Sequence, residues 1–387
     1  MSGDSPSNFW KRIGLKGEDR LRCIRAVQDR YIGCRVQEFG EQGYCSFTLL
    51  VSPPGNISIA GNKSRQLECD RVRERGSRES RIVQIRPAQH ALDLNIAQSA
   101  KATYPSLAPA IRGLDLGLPR HLCAYEMERM CGTPLSRLLP RAQVLDSALQ
   151  RKQERLVETF AAFIAHGLQP CSKPELRIRN VRADSPMGDV SEMLSQCTGK
   201  VGSSILRRLG RLSEELPDSN LRRRAKSTLE RVKAVDAYPV VLNHGDLIPS
   251  NVLIDEETWG ITGLVDWAEA EYLPFGTCLY GLEHLLGYLT PVSQPLSQLR
   301  DDSSNLSHTP TFTYFGNAPR LRDLFWARLF DAIPDFKMRQ EDVRIMRDMG
   351  VLLWYGYAWD DGAINRVVNE MDDAVEVTCL RRFLDAA

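Results

Sequence analysis

The stretch 240–272, VVLNHGDLIPSNVLIDEETWGITGLVDWAEAEY, constrains this chain more than any other. Val240, Val241 and Leu242 lead into His244, Gly245 and Asp246, and Asn251 opens a second apolar run, Val252, Leu253 and Ile254. A turn over 255–260 precedes a third run that ends at Asp266. Short aliphatic runs separated by turn residues predict a polar loop followed by a hairpin. That arrangement puts a carboxylate and an amide in the loop and a second carboxylate at a strand end. Asp and Asn oxygens are the hard ligands that Mg²⁺ takes alongside waters and substrate phosphates. Phosphoryl transfer asks for such a set: metal ligands, positioned donors and a carboxylate near the incoming hydroxyl. The plainer reading of the same residues has both aspartates capping turns and Asn251 starting a strand.

The five-residue step from Asp246 to Asn251 matches the kinase catalytic loop, in which the Asp accepts the substrate proton and the Asn holds metal. HGDLIPSNVLID followed by GLVDW resembles the aminoglycoside phosphotransferase and choline kinase-like family, small-molecule relatives of the protein kinases. The resemblance is concentrated over Val240–Glu283. It implies an α+β, protein-kinase-like two-lobed fold, with ATP and Mg²⁺ as cofactors. It further implies Asp246 as catalytic base, His244 as a buttress of the loop, and Asn251 and Asp266 as metal ligands. Ile248 stands where many members carry His, and Val265 where they carry Ile; neither is a metal ligand.

The rest of the chain fits two lobes, which 387 residues also favour. VQEF and CSFTLLV, with Gly40 and Gly43 between them, read as a strand–loop–strand hairpin. Residues 52–80 are polar and charged and read as a long insertion. RIVQIR, stopped by Pro87, reads as a third strand, and a helix is expected over Leu92–Tyr104. A further apolar run, LCAYEMERM, ends near Met130; helical periodicity then dominates 141–168 and 201–236. Residues 291–320 read as loop, with helices resuming from Leu321. The expected division is a nucleotide-binding lobe over 1–129 and a catalytic and substrate-binding lobe over 130–387.

In the first lobe, Gly40 and Gly43 either let backbone amides approach phosphates or simply turn a hairpin. Ser46 is a candidate phosphate donor beside them. Leu122–Met130 resembles the family's hinge, where backbone groups of Glu126, Met127 and Glu128 would meet the adenine edge. The third strand lacks the Lys that kinase-like enzymes place there. Gln84 and Arg86 share one face of it, opposite Val83 and Ile85, and either is a candidate for the phosphate contact. Asp93 is the nearby carboxylate on the following helix.

On the substrate side, Glu269 and Glu271 are candidate contacts to metal or a cationic acceptor. Trp354, Tyr355, Trp359, Asp360 and Asp361 place aromatic faces beside carboxylates, which suits a polar or cationic organic ligand and equally suits a helix core. Composition narrows the partners. Fifty Lys and Arg against 49 Asp and Glu give a net charge of +1, which offers no electrostatic reason for nucleic acid or an anionic membrane. The ten cysteines contain no Cys-x-x-Cys pair and read as reduced thiols of a cytoplasmic protein. The expected activity is ATP-dependent phosphorylation of a hydroxyl on a small metabolite. The rival is a pseudokinase that binds nucleotide or a partner without turnover.

Overall fold

A computed structural model describes residues 10, 17–40, 42–54, 79–168, 190–290, 310–360 and 362–386. The chain divides into two compact units, Met1–Cys131 with Gly263–Ala268, and Gly132–Thr262 with Glu269–Ala387. Most of the 52–80 insertion lies outside the described residues.

The first unit is built on an antiparallel sheet of order β1-β2-β3-β5-β4. Its strands are β1 (Arg35–Glu38), β2 (Phe47–Ser52), β3 (Arg81–Pro87), β4 (Ile111–Leu114) and β5 (Leu122–Glu128). The expected hairpin is present, with Arg35 opposite Ser52 and Glu38 opposite Leu49. The inward sides of these strands supply Phe47, Leu49, Val51, Val83, Ile85, Leu122 and Ala124 to one core. Helix α1 (Gly17–Arg30) lays Cys23 and Val27 on that core. Burial pushes the Cys23 thiol up to about 11, so it packs as a small hydrophobe. Helix α2 (Leu94–Thr103) starts at Asp93, whose carboxylate accepts the Asn95 and Ile96 N–H groups. Asp93 is therefore a helix cap, which satisfies donors that the first turn leaves open.

The second unit is mostly helical. Its larger helices are α4 (Ser147–His166), α7 (Ile205–Glu215), α8 (Ser219–Lys233), α10 (Ala318–Ala332), α11 (Gln340–Tyr355) and α12 (Ala374–Asp385); short ones are α3 (Leu135–Leu138), α5 (Val190–Ser195), α6 (Gly199–Gly202) and α9 (Tyr280–Leu285). The helical tract 201–236 breaks between α7 and α8 at Leu216, Pro217 and Asp218, since Pro lacks the N–H a continuing helix needs. Asp146 and Asp218 cap α4 and α8 through the Leu149 and Leu221 N–H groups. Phe160 of α4 packs on Phe325 of α10.

Three small sheets accompany the five-stranded one. β7 (Val240–Asn243) pairs with β10 (Glu271–Pro274), and β6 (Thr133–Pro134), β8 (Val252–Ile254) and β9 (Ile261–Leu264) form a ladder in that order. β11 (Gly287–Thr290) pairs with β12 (Thr311–Tyr314). This last strand corrects the expectation of loop at 311–314, where the alternating Thr311, Phe312, Thr313, Tyr314 buries Phe312; residues 291–309 of that expected loop lie outside the described residues. The expectation of helix from Leu321 to the end also needs correcting. Residues 356–360 and 362–373 are non-helical, and Arg208 and Arg211 donate to the Ile364 and Asn365 carbonyls there, at 2.6 and 2.8 Å. Seven described cysteines are free, whereas Cys131 is disulfide-bonded; spacing carried no sign of it. Among the described residues, no helix is long and apolar enough to cross a membrane.

Candidate active site

The loop between β7 and β8 is fixed from its first residue. Asn243, at the end of β7, is 1% exposed. Its amide donates to the Val241 and Leu273 carbonyls and its oxygen accepts the Cys278 N–H at 3.0 Å. One fully buried side chain thus joins β7, β10 and the turn after β10. His244 is buried as well, and its Nδ1 accepts the Asp246 N–H at 3.3 Å.

Between them, Gly245 has φ +78°, and a Cβ there would lie 1.9 Å from the Glu269 carbonyl oxygen. Both the left-handed backbone and the close approach require glycine. The loop then closes on itself. Asn251 N–H donates to Ile248 O at 2.9 Å, and the Asn251 side-chain amide donates to both Asp246 O (3.0 Å) and Asp246 Oδ2 (2.8 Å). An amide that donates both bonds turns its own carbonyl oxygen away from Asp246. Beyond β8, Asp255 accepts the Thr258 N–H and hydroxyl and so shapes the turn into β9.

β9 leads to Asp266, which has φ +62° and a half-exposed side chain. Positive φ is uncommon for a residue with a Cβ and concentrates at functional sites. The next residue holds this backbone in place. Trp267 is buried, donates Nε1–H to Leu264 O at 2.9 Å, and packs its ring 5.4 Å from Tyr104. Within the same unit, Arg86 is 4% exposed. Its Nε donates to Gln84 Oε1 at 3.0 Å and its Nη2 to Asp266 Oδ1 at 3.2 Å. Gln84 and Arg86 thus act together: the amide orients the guanidinium, which pairs with the carboxylate.

The family model described as the phosphotransferase enzyme family matches residues 71–277, more than half of the chain. The chain belongs to that family. Its α+β fold carries a β-rich first unit and a larger helical one. Similar solved structures include a type VIII aminoglycoside-3'-phosphotransferase (15% identity, covering 86% of this chain and 99% of that one, TM-score 0.42). An ethanolamine kinase from Plasmodium vivax aligns at 10% identity over 100% of this chain and 95% of its own, with TM-score 0.49. A thermostable aminoglycoside phosphotransferase in ternary complex with ADP and hygromycin B aligns at 12% identity over 94% and 98%, with TM-score 0.45. No curated protein sequence matches the chain.

In this phosphotransferase the remaining candidates fall into different roles. A Cβ at Gly40 would meet no described atom within 4 Å, whereas one at Gly43 would meet Ser46 Oγ at 2.8 Å. Ser46 is buried, its hydroxyl 3.4 Å from Thr48 Oγ1, so it faces into the hairpin. Gln42, which the sequence gave no reason to select, clips the hairpin loop through Phe39 O, Thr48 O and Thr48 N.

Glu126, Met127 and Glu128 do not present free peptide edges. β5 is an inner strand, so Glu126 lies between Val83 and Arg112 and Met127 between Ile82 and Ile111. Glu128 pairs with Arg81 and donates its N–H to Ala110 O. The side chains are occupied too. Glu126 is buried among Tyr31, Arg112 and Arg81, and Glu128 pairs with Lys101 at 2.7 Å. Burial opposes the Glu126 charge, but Arg112 and Tyr31 hold it below the usual carboxylate range.

The Glu271 carboxylate is engaged within the fold. It is 8% exposed and accepts the Lys200, Val201 and Gly202 N–H groups at the start of α6. Glu269 stays accessible, with Lys200 Nζ at 3.7 Å from its carboxylate and 5.9 Å from the centre of the exposed Trp359 ring. Tyr355 is buried and bonded to His284 Nε2, which makes it core. Trp354 is stacked on Tyr280. Asp360 is gripped by Arg366 through both carboxylate oxygens, each at 3.2 Å. Asp361 lies outside the described residues. Among the described residues, no group of three or more His, Cys, Asp and Glu is placed to hold a metal.

Proposed function

We propose that this phosphotransferase moves the γ-phosphoryl group of ATP to a hydroxyl of a small metabolite in an Mg²⁺-dependent reaction, with Asp246 as the base. One observation carries the reading: the Asn251 amide clamps the Asp246 carboxylate at 2.8 Å and its backbone carbonyl at 3.0 Å. Cap roles for these residues would not need a side chain five positions away to hold both the carboxylate and the backbone carbonyl of Asp246. The Asp246 carboxylate takes the acceptor's proton as the acceptor oxygen bonds to phosphorus. The bond from the γ-phosphorus to the bridging oxygen breaks, and ADP leaves with that oxygen's charge.

Asn251 and Asp266 supply oxygen donors of the kind Mg²⁺ prefers, and their donor chemistry fits the ion. When bound, Mg²⁺ would neutralise phosphate charge. Arg86, oriented by Gln84, takes the place of the third-strand Lys as the cation for the phosphates. Arg86 answers one ground of the pseudokinase reading, the missing third-strand Lys; the other, the lack of a Glu on the following helix, stands, because Asp93 is a helix cap. The amide groups of the Gly40–Gly43 loop are proposed to cover the phosphates. The adenine edge is assigned to 129–131, where the chain leaves the inner strand. Glu269 and Trp359 are proposed as acceptor contacts.

The test is a thermal-shift titration with ATP, with and without Mg²⁺, joined to ADP release across a panel of hydroxyl metabolites. Mg²⁺-dependent stabilisation and turnover of at least one acceptor are expected. Stabilisation without turnover in any pool would favour the pseudokinase.

A further inference from the structure

Helix α9 grips the loop that carries Asp246. Leu247, the residue after Asp246, is 1% exposed, and its N–H donates to the Tyr280 hydroxyl at 3.1 Å. The neighbouring position has no side chain for a reason: a Cβ at Gly281 would sit 2.7 Å from Leu247 Cβ. Tyr280 is itself immobilised. It is 3% exposed, stacked on Trp354 at 4.8 Å with rings 9° from parallel, and meets Tyr355 edge-on at 6.4 Å.

The helix is pinned one turn further on. Glu283, 1% exposed, accepts Arg347 Nη2 and Arg322 Nη2 at 2.7 Å each and the Tyr314 hydroxyl at 2.9 Å. Arg347 in turn pairs with Asp348 at 2.7 Å. A buried charge cluster with all its members paired holds one geometry, because leaving any member alone is costly.

We infer that Tyr280 is the positioning residue of the reaction centre: its hydroxyl fixes the Leu247 peptide and thereby aims the Asp246 carboxylate. Among the described residues the Tyr280 hydroxyl is the acceptor recorded for the Leu247 N–H, and a buried N–H without an acceptor drives local rearrangement. Burial, reinforced by the Asp246 charge, keeps this phenol protonated far above its ordinary range, so the hold does not vary with pH. Tyr280 acts through Asp246 and touches no substrate. The inference rests on the proposed base role of Asp246.

Tyr280→Phe keeps the ring and the stack and deletes the acceptor. A loss of about 10- to 100-fold in kcat is expected, the scale of small misplacements of a reacting group, with KM for Mg·ATP within about twofold of wild type. Combined with Asp246→Asn, the Tyr280→Phe change should add no further loss, because it works only through the carboxylate. Trp354→Leu loosens the stack but keeps the hydroxyl; it should give a smaller kcat loss that also vanishes in the Asp246→Asn background. Wild-type kcat in Tyr280→Phe, or losses that multiply with Asp246→Asn, would overturn the inference. If Asp246→Asn alone turned over normally, the base assignment would fall instead, a result the double variant separates from this one.

Discussion

Gly245→Ala is the sharpest structural perturbation of the reaction loop. The backbone there has φ +78°, and a residue with a Cβ pays about 1–2 kcal/mol to occupy that left-handed region. The added carbon would lie 1.9 Å from the Glu269 carbonyl oxygen, whereas carbon and oxygen in contact rest roughly 3.3 Å apart. The obstacle is backbone, so rotamer changes cannot relieve it; the loop or the Glu269 turn must shift by more than 1 Å or so. Overpacking of that kind adds about 1–3 kcal/mol. Together the two effects give about 2–5 kcal/mol of lost stability, and the shift falls beside Asp246. Urea unfolding followed by far-UV circular dichroism, which reports the helical unit, measures the first consequence, and ADP release in the presence of acceptor measures the second. A loss under about 1 kcal/mol together with wild-type kcat would show that the loop is not held as described.

Two further changes probe other parts of the molecule. Arg86→Met should lower kcat/KM for ATP by about 10- to 100-fold, the worth of a charge-assisted bond, while Arg86→Lys should retain most activity; steady-state kinetics with varied ATP separates them. His284, driven by burial down to about 4 from 6.5, stays neutral in the folded chain while the unfolded chain protonates. Stability should therefore fall as pH drops from about 6.5 to about 4, by on the order of 3 kcal/mol at most. Thermal midpoints across that window should slope for wild type and flatten for His284→Gln.

Much of the fold was legible because its signals are local. The hairpin of β1 and β2, the strand β3 stopped at Pro87 and the apolar strand β5 each show in a few consecutive residues. The spaced string from His244 to Asp266 likewise carried the family. What was not legible depends on neighbours distant in sequence. β5 reads as a strand, but its residues Glu126–Glu128 being covered on both sides follows from β4 joining the sheet. Glu271 looks like an available carboxylate until Lys200, Val201 and Gly202 close on it from about 70 residues upstream. Tyr280 gave no motif at all, since its role exists only where α9 meets Leu247. Arg86 and Gln84 shared a face by alternation, yet only the fold revealed Asp266 as the partner of Arg86.

The central claim is that Asp246 takes the acceptor's proton, and Asp246→Asn tests it most directly. Asparagine has the same shape and keeps a side-chain oxygen for the Asn251 amide, so the fold and the Mg·ATP thermal shift should be unchanged. Acceptor-dependent ADP release should drop by about 10²- to 10⁴-fold, the contribution of a positioned base. Undiminished release by a folded, nucleotide-binding Asp246→Asn protein would contradict the account.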